Sequence, residues 1–177
     1  MTHSLFSLPQ LFGYFTFAVG MVTFLQKHDK HFKLWLTLQN TLYGIHFFLM
    51  GNPAAVAGMV LSILRNTLSM RTRSLWVAFA LLAGSLLIGC WVVHVWWNVL
   101  PLLAAAVATI SMFRLKGVGM RIGMLITTLL WDANNILLGS IGGIAMESTI
   151  AVISVITIYR IYRDARLAAP QPGEAAG

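Results

Sequence analysis

The sequence predicts an all-α membrane protein, with seven transmembrane helices arranged as two parallel three-helix bundles joined by a linker helix. Three observations lead there. Apolar residues fill 58% of the 177 positions and charged residues only 10%, too little polar surface to keep a soluble domain of this length dissolved. Seven apolar runs follow one another along the chain. All twelve Lys and Arg fall into four groups of three, separated by connections that carry none.

A helix needs about 20 residues to cross the hydrocarbon core at ~1.5 Å per residue. The first run, 8–26, follows a segment without Lys or Arg and without a small-x-small cleavage site. It is therefore expected to stay in the mature protein rather than act as a signal peptide. The second run, 32–50, ends at Gly51-Asn52-Pro53, a tight turn signal, and the third occupies 53–70. The fourth, 75–97, opens after Arg71 and Arg73. The fifth, 99–113, is short and has Pro101 in its first turn, where a missing N–H does no harm. The sixth, 120–138, ends at Gly139-Ser140-Ile141-Gly142-Gly143, and the seventh covers 141–160. Beyond Arg166 the chain turns polar and Pro- and Gly-bearing, a composition expected to be disordered.

Charge orients these runs. Lys27, Lys30 and Lys33 lie between runs one and two, and Arg65, Arg71 and Arg73 close the third run and open the fourth. Arg114, Lys116 and Arg121 lie between five and six, and Arg160, Arg163 and Arg166 at the end of seven. With alternating crossings, every one falls on the same side. Basic residues mark the cytoplasmic face, so the N-terminus is expected outside and the C-terminus inside. Trp35, Trp76, Tyr159 and Tyr162 sit near the basic ends and Trp96 and Trp97 at the opposite face, as interfacial aromatics do. His94 is expected to face headgroups or water near the outer end of run four. Cys90, the one cysteine, lies in an apolar run, which excludes an intrachain disulfide and leaves packing. The net charge of +7 is spread over four groups instead of one patch interleaved with aromatics, so nucleic acid is not an expected partner.

Runs one to three and five to seven share a grammar: a helix, a basic loop, a helix ending in Gly, a very short turn, and a helix ending in Arg. Placing Gly51 on Gly139 sets Lys33 on Arg121, Tyr43 on Trp131, His46 on Asn134 and Ala57 on Ala145. A three-helix unit that starts outside finishes inside, so a second unit in the same orientation needs one extra crossing, which the fourth run supplies. The expected divisions are 1–70, a linker helix at 71–98, 99–166, and a tail at 167–177. Parallel repeats about an axis along the membrane normal are a transporter pattern, with the substrate site at the repeat interface.

Several segments are distinctive: His46-Phe47-Phe48-Leu49-Met50-Gly51, Arg71-Thr72-Arg73-Ser74-Leu75-Trp76-Val77, Lys116-Gly117 with Met120-Arg121, and Gly139-Ser140-Ile141-Gly142-Gly143 followed by Glu147. With the 3-1-3 plan, they resemble the SWEET and PQ-loop superfamily of small transporters, and more closely the YgjV-type bacterial inner-membrane proteins. The resemblance implies a small transporter. It does not extend to a sugar substrate, because Pro9-Gln10 lies at the outer start of helix one and the paired mid-membrane Asn of sugar transporters have no match on helices three and seven.

Ionisable groups inside a membrane are expensive and call for an account. Asp132 and Glu147 each lie seven residues from the outer turn and His46 five, so all three sit roughly 7–10 Å below the outer ends. No Lys or Arg is available there, so the carboxylates must be paired with His, hydrogen-bonded, hydrated or protonated. Gln39, Tyr43 and His46 share one face of helix two. Thr128, Trp131, Asp132 and Asn135 do the same on helix six, with Asn134 adjacent. Tyr43, His46, Trp131, Asp132, Asn134, Asn135 and Glu147 are therefore the expected substrate-binding residues, lining a polar cavity or a proton relay. Their bland alternative is interhelical hydrogen bonding. Arg65 and Asn66 at the end of helix three, and Arg160 on helix seven, are compatible with an inner gate, although positive-inside anchoring explains them more simply.

Enzymatic motifs are absent: no H-E-x-x-H, phosphate loop or Cys/His ligand cluster, and no G-x-S-x-G order around Ser140. An enzyme, a cofactor and a metal are not expected. The expected function is a small secondary transporter or facilitator of a small polar metabolite, coupled to a proton in one version. The rival is a non-transporting accessory or sensory membrane protein. The expected partners are a small-molecule substrate and the lipid bilayer, with a homo-oligomer left open.

Overall fold

The computed structural model describes residues 7–92 and 99–167, and among them every regular element is an α-helix. In order these are α1 (Leu8–Leu25), α2 (Asp29–Leu49), α3 (Pro53–Arg71), α4 (Leu75–Val92), α5 (Val99–Arg114), α6 (Gly117–Leu138) and α7 (Ile141–Leu167). The outer end of the fourth run with His94, Trp96 and Trp97, and the tail from 168, lie outside the described residues, as do the side chains of Cys90 and Trp91.

All seven expected helices are present, with three shifted limits. α2 starts at Asp29 and α6 at Gly117, each three residues before its apolar run, and α7 continues through Tyr159–Arg166 to Leu167. An apolar run measures the hydrocarbon, whereas backbone hydrogen bonding continues past it: Phe32 N donates to His28 O and Met120 N to Lys116 O. By length and hydropathy, Leu8–Leu25 and Gly143–Leu167 are long and apolar enough to cross a membrane, and Leu75–Gly89 and Val99–Arg114 form shorter apolar helices.

The two tight turns are the same structure 88 positions apart. Gly51 and Gly139 both hold a left-handed φ, 70° and 67°, the conformation that closes a helix without a Cβ clash. Asn52 N–H donates to Phe47 O at 3.0 Å and Ser140 N–H to Asn135 O at 2.9 Å. Gly51 N–H donates to Phe48 O and Gly139 N–H to Ile136 O, at 3.0 and 3.1 Å. Both turns then start the next helix with a side-chain cap: Asn52 Oδ1 accepts from Ala55 N, and Ser140 Oγ from Gly143 N.

Burial repeats at the same offset. Thr16 and Ala104, Thr23 and Ser111, Phe32 and Met120, Lys33 and Arg121, Gln39 and Thr127, Asn66 and Ser154, and Ser69 and Thr157 are buried in both members of each pair. α2 packs against α1 and α3, and α6 against α5 and α7. α4 touches α3 and α5, while α1 meets α7 and α3 meets α5. An apolar cluster that includes Phe24, Phe32, Leu36, Met112, Phe113, Met120 and Met124 gathers toward the basic end, with Phe24 edge-on to Phe32 at 5.3 Å.

The surface is the inverse of a water-soluble protein. Phe15, Phe48, Trp76, Leu87 and Ile141 are more than 60% exposed, while Thr, Ser, Asn and Gln make up much of the buried set. Water disfavours that arrangement and lipid favours it.

Candidate functional site

At the end of the tight turns, the expected polar residues separate into two environments. Asp132 on α6 accepts a hydrogen bond from Ser148 Oγ at 3.2 Å, and its buried Oδ1 has no partner among the described residues. Glu147, on α7 beside Ser148, lies within electrostatic range of both Asp132 and Tyr43. The electrostatic reach of Glu147 thus extends to Asp132 on α6 and to Tyr43 on α2, while the hydrogen bond from Ser148 to Asp132 is the direct contact between α7 and α6 here. Asn134 is buried nearby in sequence, with its Oδ1 unpartnered.

The others are held by packing. His46 Nδ1 lies 2.7 Å from the carbonyl of Pro9 on α1. A carbonyl only accepts, so this nitrogen carries a proton and donates it. Gly13 lies beside the ring, where an added Cβ would stand 3.4 Å from the imidazole, at van der Waals contact. The same ring lies 5.7 Å from Tyr43 and 5.3 Å from Phe47, centroid to centroid. The Asn135 amide lies against Gly143, where a Cβ would come within 2.5 Å of its Cγ. Trp131 is 37% exposed whereas Thr128 on its expected stripe is buried, so that stripe does not turn inward as a unit.

Further in, polar groups continue through the bundle. Gln39 is buried against Gly20 with Oε1 unpartnered. It lies twelve residues from Gly51, about 18 Å along the helix. Asn66 and Thr157 are fully buried, with Nδ2 and Oγ1 unpartnered among the described residues.

At the basic end, two residues read from sequence as interfacial anchors are buried instead. Lys33 donates to Ser69 O at 3.0 Å and Met112 O at 2.7 Å. Those carbonyls belong to the last turns of α3 and α5, where no intrahelical donor remains. Lys33 therefore caps two helices at once. Arg121 stacks over Phe32 at 4.0 Å and approaches Asp29 Oδ1 at 3.5 Å. Asp29 Oδ2 accepts from Gly117 N at 2.8 Å, and Lys27 pairs with Asp164 at 2.5 Å. These contacts tie α1 and α2 to α6 and α7. The 88-residue alignment pairs Lys33 with Arg121, but a charge count does not show whether a side chain points outward or inward.

Residues 7–165 match the family described as Imp-YgjV, bacterial inner membrane protein. The chain is also 35% identical over 149 residues to the inner membrane protein YgjV of Escherichia coli (strain K12), covering 83% of this chain and 80% of that protein. No solved structure matches it. With a helical bundle that is apolar outside and polar within, the match covers nearly all the described residues: the chain belongs to the Imp-YgjV family of bacterial inner membrane proteins.

Proposed function

We propose that the protein is a small secondary transporter or facilitator of a small polar metabolite. In this reading the chain crosses the membrane seven times with its N-terminus outside. α1–α3 and α5–α7 are parallel units that rock against each other, and α4 is the linker between them, as in SWEET and PQ-loop transporters. Tyr43, Asp132 and Glu147 form the outer binding group, and Glu147 exchanges the coupling proton. No enzymatic step is assigned.

The observation that supports this most is a set of buried polar atoms without partners among the described residues, on α2, α3, α6 and α7: Asp132 Oδ1, Asn134 Oδ1, Gln39 Oε1, Asn66 Nδ2 and Thr157 Oγ1. Each unpartnered group costs about 1–3 kcal/mol when sealed away. A bundle built only for packing gains nothing from five of them, whereas a solute path uses them. The 88-residue recurrence of turns and burial supports two equivalent units. The packed states of His46 and Asn135 favour the second reading, a membrane accessory or sensory protein whose polar groups are interhelical glue.

Thermal-shift screening of the purified chain against small polar metabolites, at acidic and neutral pH, separates the two. A ligand that binds the folded state raises its apparent stability by mass action. The transporter reading expects a stabilising metabolite whose pH dependence disappears in Glu147→Gln while that variant stays folded. A hit that is unchanged in Glu147→Gln and Tyr43→Phe removes the proposed site.

A further inference from the structure

The basic end carries a second feature that the outer group does not explain. A cavity of about 400 Å³ opens between the start of α2, the end of α3, the link to α4 and the link before α6. Lys30, Lys33, Arg71, Arg73 and Lys116 line it, with Asp29 as the one acidic residue on its wall. Asp29 is already taken up by Gly117 N and Arg121. Among the described residues, none of the five cations has a carboxylate within ion-pair distance. The chain holds few that could reach: of five Asp and Glu, Asp132 and Glu147 lie toward the opposite end and Asp164 is paired with Lys27 and Arg163.

The backbone fixes this geometry. Thr72 N–H closes α3 on Leu68 O at 2.8 Å, and Ser74 N–H donates to Thr72 Oγ1 at 3.2 Å. This short brace holds Arg71 and Arg73 on either side of Thr72. Lys33 is only 8% exposed and directs two donors to helix-end carbonyls, so it lies at the cavity wall without a direct ion pair. Lys30, Arg71, Arg73 and Lys116 are exposed and reachable from solution. Five cations converging on one concavity favour a ligand with several negative oxygens over a single carboxylate, and guanidinium groups grip such oxygens in pairs. The volume lies in the range of small-molecule sites.

We propose that this cavity is a phosphate-binding site, for the phosphate of an anionic lipid headgroup or of a free phosphorylated metabolite. It rests on the basic end alone and stands whether or not the outer group carries a solute.

The test uses the full chain in neutral detergent with two probes. Inorganic pyrophosphate is titrated at constant ionic strength with thermal unfolding as readout. In parallel, phosphatidylglycerol and phosphatidylcholine compete for the protein, and retained lipid is read by native mass spectrometry. Saturable stabilisation by pyrophosphate identifies a soluble phosphate ligand, and selective retention of phosphatidylglycerol identifies the headgroup. In either arm R71Q/R73Q weakens binding by roughly tenfold or more. R163Q/R166Q, which removes the same charge from α7 outside the cavity, leaves it unchanged. K30Q/K116Q repeats the test should R71Q/R73Q lose its helical circular dichroism. Binding in neither arm, or equal losses in the cavity and α7 variants, overturns the proposal.

Discussion

Single residues set how closely these helices approach. Gly123 on α6 faces Ser111 on α5 so tightly that a Cβ would overlap the Ser111 hydroxyl, which itself donates to Val107 O at 2.6 Å. Gly123→Ala is expected to destabilise the protein by about 1–3 kcal/mol, the usual effect of overpacking, and Ser111→Gly should restore most of the loss. Gly58 on α3 has nothing within 4 Å of the same added atom. Gly58→Ala should therefore hold or raise stability by up to about 1 kcal/mol through helix propensity. Thermal unfolding of Gly123→Ala, Gly123→Ala with Ser111→Gly, and Gly58→Ala in one detergent checks this, and a melting point for Gly58→Ala below that of Gly123→Ala contradicts it. The two glycines look alike in sequence, because each sits in an apolar helix and only its neighbour decides.

At the level of elements, the turns at Gly51 and Gly139 were legible because they obey local rules. Glycine closes a helix, and a Pro or a capping side chain opens the next. Neither glycine has an atom within 4 Å of an added Cβ, so any cost of substitution comes from the positive φ alone. Gly51→Ala and Gly139→Ala should each lose about 1–2 kcal/mol, by similar amounts, with Asn in either place milder. Denaturant unfolding that shows no loss at either position would mean the turns relax to another conformation. Helix ends in polar sequence were less legible. The starts at Asp29 and Gly117 and the extension of α7 to Leu167 follow from backbone hydrogen bonding, which a hydropathy window does not sense.

For the whole molecule, the four basic groups carry a topology that labelling in cells tests directly. Four exposed positions serve: Met50 and Ile141 at the tight turns, and His31 and Leu167 at the basic end. With Cys90 replaced by Ala, Met50→Cys and Ile141→Cys should react with an impermeant thiol reagent in intact cells from which the outer membrane has been removed. His31→Cys and Leu167→Cys should react only after the inner membrane is opened. Reaction of His31→Cys from outside would break the proposed orientation and, with it, the placement of the phosphate cavity on the cytoplasmic face.

What the sequence determined by itself is whatever depends on solvent and on the local backbone. Hydropathy marked seven helices because each segment answers to its surroundings one residue at a time, and Gly, Pro and Asn marked the turns because φ is a local property. The tertiary structure alone decided which polar groups meet. It set His46 on the Pro9 carbonyl, Asn135 against Gly143, and Ser148 on Asp132. It also drew Lys33 and Arg121 inward. Those outcomes depend on how each helix is rotated about its axis and which neighbour it faces. A polar residue at a given depth is compatible with several such rotations, and packing against the adjoining helices selects one.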